Sequence, residues 1–156
     1  MPLRLLLPVL LLAALSHAAP TPAQEAVSPA PSADNDGLAK AFQGAWQGDA
    51  EAYAKSPLAA KLTAANPQLA QTFLAMMRTA TLQVTDSSMT ITAMGQKAGP
   101  AGYRVASASE QTLVIEMTDG PQKGMQTAIT FQKDGSIKVV QGRNETRALY
   151  FRRAQP

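Results

Sequence analysis

At residue 80 the spacing of apolar side chains switches from helical to strict alternation, and this switch constrains the fold more than any other feature of the chain. From there on, short alternating runs follow one another: Thr81-Leu82-Gln83-Val84-Thr85, Met89-Thr90-Ile91-Thr92-Ala93, Tyr103-Arg104-Val105-Ala106 and Leu113-Val114-Ile115-Glu116-Met117. Next comes a run with Met125, Thr127, Ile129 and Phe131 on one face and Gln126, Thr130 and Gln132 on the other. Ile137-Lys138-Val139-Val140 and Arg147-Ala148-Leu149-Tyr150-Phe151-Arg152 complete the series. Turn residues separate the runs: Asp86-Ser87-Ser88, Gly99-Pro100-Ala101-Gly102 (read as a loop), Asp119-Gly120-Pro121 and Asp134-Gly135. Parallel neighbours need a crossover of about a dozen residues or more, and none of these connections provides one. The strands therefore form an antiparallel meander with one buried and one wet face. A sheet of about seven to eight strands twists and curls. The predicted class is α+β, mostly β: a meander curled into a barrel or half-barrel, with N-terminal helices covering or plugging it.

Residues 37–79 carry the helical signals. Ser56-Pro57 and Asn66-Pro67 each place a capping side chain before a proline at the first helical position. Behind Asn66, the residues Leu69, Phe73, Met76, Met77 and Ala80 form one stripe; Leu58, Leu62 and Ala65 do the same in a shorter helix. Residues 38–54 have two readings. Leu38, Ala41, Phe42, Ala45, Trp46, Asp49 and Tyr53 fit a single helix, but Gly44 and Gly48 would each cost about 1 kcal/mol inside it. The preferred reading is a short helix around 38–42, a strand through Gly44-Ala45-Trp46-Gln47, and a second helix from Asp49.

The N-terminus reads as an export signal. Arg4 supplies the positive start, Leu5–Leu15 is apolar apart from Pro8, and Ser16-His17-Ala18 resembles a signal peptidase site. A run of eleven residues is too short for a membrane span, which needs about 20. Cleavage is expected after Ala18, leaving a secreted or periplasmic chain with no stable membrane insertion. Residues 19–36 form a Pro/Ala-rich linker with too few apolar side chains to order itself. Residues 37–156 form a single domain.

Removal of residues 1–18 takes away His17, the only histidine, and the chain has no cysteine. A Ser-His-Asp triad, a Cys-His pair and ordinary zinc or haem sites are then excluded. Asp49, Glu51 and Glu116 remain as carboxylates for a hydrolase, a minor alternative. Asp49 reads better as a helix cap, and Glu116 as the wet face of a strand. Methionine thioethers suit Cu(I), and Met89 and Met94 fall on nearby strands. Methionines on apolar stripes are core, however, so no metal or cofactor is expected. The formal charge of +3 is small and falls by one with Arg4. Without a basic face interleaved with aromatics, no nucleic acid partner is expected. Asn144-Glu145-Thr146 matches a glycosylation acceptor and is read as chance.

Gly44-Ala45-Trp46 near the domain start, followed by a meander and a late arginine, resembles the lipocalin-like small β-barrels of exported bacterial proteins over residues 43–156. In that family the tryptophan sits on the first strand and the arginine packs across its ring to close the barrel. The resemblance implies that Trp46 pairs with Arg153, which shares a face with Leu149 and Phe151; Arg152 is the alternative. It also implies a small apolar ligand.

The leading expectation is a non-enzymatic binding domain with a concave site lined by Trp46, Phe73, Met77, Tyr103, Ile129 and Phe131. The same six residues also read as core. The alternative is an interaction module, such as an inhibitor or envelope assembly factor, without a cavity. An enclosed apolar pocket of about 300 Å³ or more favours the carrier; a filled interior favours the module.

Overall fold

The computed structural model describes residues 33–142 and 148–155. The expected signal peptide with its cut after Ala18, the linker up to residue 32, Arg147 and the Asn144-Glu145-Thr146 acceptor lie outside the described residues. Helix α1 (Ala33–Phe42) leads into β1 (Gly44–Gly48), followed by α2 (Ala50–Ala54), α3 (Pro57–Ala65) and α4 (Pro67–Thr79). Seven strands then run in order: β2 (Thr81–Val84), β3 (Ser88–Ala93), β4 (Gln96–Ser109), β5 (Thr112–Met117), β6 (Gln126–Phe131), β7 (Ile137–Gln141) and β8 (Ala148–Arg153). Helix α1 begins four residues inside the expected linker, because Leu38 and Phe42 pack on the barrel core and support a helix that local composition does not.

Each strand pairs antiparallel with the next, and β8 returns to pair with β1, so the sheet is a closed eight-stranded barrel. Of the two outcomes expected for the meander, closure wins. The stretch 38–54 follows the helix–strand–helix reading. Gly44 adopts φ +112°, out of reach of a helix, and Trp46 points inward between Leu82 and Arg153 on the flanking strands.

One expected loop is strand instead. Gly99-Pro100-Ala101-Gly102 lies inside β4, which runs 14 residues and pairs with β3 through its first half and β5 through its second. The register against β3 shifts between Met89 and Ile91, where Gly99 sits at φ +106°. A Cβ there would lie 2.8 Å from the Met89 carbonyl. The glycine marks a bulge, not the end of a strand.

Two apolar clusters form. The barrel core holds Phe42, Trp46, Leu82, Tyr103, Leu113, Ile115, Met117, Ile129, Ile137 and Phe151, among others. A second cluster under the helices holds Tyr53, Ala59 and Met77, with Phe73, Leu74 and Tyr150 packed against it. Helix α1 contacts β4 and β5; α4 contacts β1 and β3, and α2 contacts β8. All three helices after β1 are capped by side chains: Asp49 accepts from Ala52 N, Ser56 from Ala59 N and Asn66 from Leu69 N. Among the described residues no helix is long and apolar enough to cross a membrane.

Candidate functional site

Among the described residues, the barrel lumen and a cleft on the outside are candidate spaces for a ligand. The six residues expected to line one concave site divide between two places. Trp46, Tyr103 and Ile129 are buried in the barrel core, and Phe131 packs against it half-buried. Phe73 and Met77 are in the helix cluster instead, because α4 turns its apolar stripe toward α2 and α3 rather than into the barrel. Phe73 stacks on Tyr53 with ring centroids 6.4 Å apart.

The lumen is nearly filled. Its residual cavity measures about 90 Å³ and is bounded by Phe42, Ile115, Met117, Ile129, Leu149 and Phe151. Gln122, Thr127 and Gln141 also border it, and Gln122 Nε2 is buried without a hydrogen-bond partner among the described residues. Tyr103 closes the neighbouring part of the core: its ring meets Phe42 edge-on at 6.1 Å, and its hydroxyl donates to the Thr85 carbonyl at 2.6 Å. Burial, aided by the Asp86 charge, pushes the Tyr103 phenol above its ordinary pKa; burial does the same to Tyr53.

The outer cleft is larger, about 410 Å³, and runs between α2, α4, β1 and β8. Its walls include Gln47, Asp49, Ala50, Glu51, Ala54, Leu74, Arg78 and Arg152. Close backbone packing builds it. A Cβ on Gly48 would fall 2.1 Å from the Met77 carbonyl, so only glycine lets β1 meet the end of α4. Gly48 N donates to Ala80 O, and Asp49 N to Tyr150 O, each at 2.8 Å. Arg152 stands opposite Gln47 in the β1–β8 ladder, and Arg78 follows Met77 on α4.

The cleft's charges are unequally engaged. Asp49 caps α2. Glu51 bonds the Lys55 ammonium at 2.6 Å; that ammonium holds the Glu51 carboxyl below its ordinary pKa, with a smaller contribution from the Arg152 charge. Neither the Arg78 nor the Arg152 guanidinium has a hydrogen bond or an ion pair among the described residues, although the Arg152 charge acts on Glu51.

No family model matches the chain, and no curated protein matches it.

The remaining sequence candidates are scattered. Glu116 lies on the outside of β5 and bonds Arg104 across the strands at 3.1 Å, away from the cleft that Asp49 and Glu51 border. Met89 packs against the barrel core, whereas Met94 is 52 % exposed at the tip of the β3–β4 turn. Among the described residues no three His, Cys, Asp or Glu side chains are grouped to hold a metal ion. Arg153 places its guanidinium carbon 4.0 Å from the Trp46 ring centroid. Arg78 and the cleft have no signal in the sequence. Arg78 follows Met77, off the apolar stripe, and only the docking of α4 on β1 brings it to the cleft that Arg152 also borders.

Proposed function

We propose that this chain is an exported, non-catalytic interaction module that engages a protein partner through the outer cleft. The observation that carries the reading is where the space lies. The lumen retains about 90 Å³ and the cleft offers about 410 Å³, whereas a ligand pocket usually measures about 300–1,000 Å³. A filled barrel is a scaffold, and its function lies on what it displays. Asp49 and Glu51 are engaged in a cap and an ion pair, which supports a binding rather than a hydrolytic role. The lipocalin-like resemblance concerns the scaffold, where barrel closure and the Arg153–Trp46 contact support it; the small apolar ligand it implies has little room in the lumen.

Native mass spectrometry of the protein purified from its own host tests the proposal. A retained protein partner is the expected result. A lipid-sized mass without any protein overturns it.

One observation favours a second reading, a small ligand in the lumen. The orphaned Gln122 Nε2 at an apolar cavity is a costly arrangement that a ligand acceptor would relieve. The volume limits such a ligand to a few heavy atoms. Ile129→Phe, which fills the cavity, would then abolish any thermal stabilisation by small alcohols.

A further inference from the structure

We infer that the cleft between α2, α4, β1 and β8 binds a carboxylate-bearing segment of the protein partner through Arg78 and Arg152. This rests on the interaction-module reading and gives it a chemistry. Two guanidiniums border one concave space, each without an acceptor of its own among the described residues. A guanidinium presents N–H donors in a planar fork that matches a carboxylate or phosphate. The fixed carboxylates of the same cleft are already engaged, Asp49 with the amide of Ala52 and Glu51 with Lys55. Of the cleft's four charged side chains, only the two guanidiniums make no hydrogen bond at all among the described residues, so they are the groups most open to an incoming oxyanion.

Charge selects between the two oxyanions. Asp49 and Glu51 stay in the cleft as negative charges, and they oppose a phosphate dianion more strongly than a single carboxylate. Ala50, Ala54 and Leu74 add a short apolar wall for the body of a peptide. The rigidity of the site comes from the backbone. Gly48 is packed on the Met77 carbonyl and bonded to Ala80, which ties Arg78's helix end to the strand that pairs with Arg152. The backbone is then ordered before binding, and the ordering cost falls on the two guanidinium side chains.

The test is an NMR titration of the labelled protein with the peptide acetyl-Ala-Glu-Ala-Glu-Ala-amide, its Gln counterpart and inorganic phosphate. The glutamate peptide is expected to move the amides of residues 47–51, Arg78 and Arg152. The Gln counterpart, the double variant Arg78→Gln/Arg152→Gln and the charge-adding variant Ala54→Glu are each expected to bind at least tenfold more weakly. Because Arg78, Arg152 and Ala54 are exposed, amide spectra away from the cleft should stay unchanged. Absence of cleft shifts, equal affinity for the Gln peptide, undiminished binding by both variants, or tighter binding of phosphate each overturns the inference. If the double variant still retains its host partner in native mass spectrometry, the inference fails while the module reading stands.

Discussion

Arg153 lies across the ring of Trp46, and the two residues are also direct partners in the β1–β8 ladder. The same guanidinium donates to the carbonyls of Gln43, at 2.6 Å, and Ala41. The Trp46 indole donates to the Phe42 carbonyl at 2.8 Å. One cation thus joins the last strand, the first strand and the C-terminal carbonyls of α1, where positive charge is also favoured by the helix dipole. Gly44 makes room for it: a Cβ there would lie 2.8 Å from Arg153 Nη1.

Arg153→Ala should therefore destabilise the fold by about 2 kcal/mol, combining a stack of about 0.5–2 kcal/mol with two charge-assisted bonds that water partly replaces. Arg153→Lys should recover less than half, because an ammonium cannot span both carbonyls in one plane. Urea midpoints of the three proteins measure this, and equal midpoints for wild type and alanine variant would refute it.

Two glycine substitutions should act with opposite signs. Gly48→Ala drives a methyl into the Met77 carbonyl and should cost about 3 kcal/mol. Gly37 lies inside α1 with nothing within 4 Å of where a Cβ would stand and without a positive φ. Gly37→Ala should stabilise by about 0.5–1 kcal/mol. Calorimetric melting of both variants checks the pair.

The helix caps should rank by burial. Ser56 is buried and caps α3, whereas Asn66 is exposed and caps α4. Both substitutions to alanine fall within about 0.5–2 kcal/mol, with Ser56→Ala near the top because its loss leaves a buried amide unpaired. Chemical denaturation separates the two.

Alkaline pH should weaken the fold through its buried tyrosines. Folding raises the phenol of Tyr103 above its ordinary value of 10.0, so the folded state holds the proton more tightly than the unfolded chain. The stability this provides is complete below about pH 10 and is lost as pH rises through the folded value. Tyr103→Phe should flatten that loss and cost about 1 kcal/mol at neutral pH, because its bond to Thr85 disappears. Tyr53→Phe should flatten the loss too, yet cost almost nothing at neutral pH, since the Tyr53 hydroxyl has no partner among the described residues. Stability curves from pH 7 to 11 give both readings.

Much of the fold is legible in local chemistry. The alternation after residue 80 marks the strands, Ser56-Pro57 and Asn66-Pro67 mark two helix starts, and the cost of helical glycine divides residues 38–54 correctly. Gly99-Pro100 misleads because the same residues that end a strand also form a bulge, and only the partner strand decides which. The apolar stripe of α4 is visible in the sequence, but not the surface it buries. Phe73 and Met77 therefore group with Trp46 and Ile129 in the sequence, although they pack in a different cluster.

By itself the sequence determined the order of elements and the antiparallel pairing, because side-chain period, caps and short connections are properties of neighbouring residues. Tertiary structure alone decided that β8 reaches β1, that the interior fills to leave about 90 Å³, and that Arg78 and Arg152 border one cleft. These depend on contacts between residues far apart in the chain, fixed by backbone approaches as specific as Gly48 on the carbonyl of Met77.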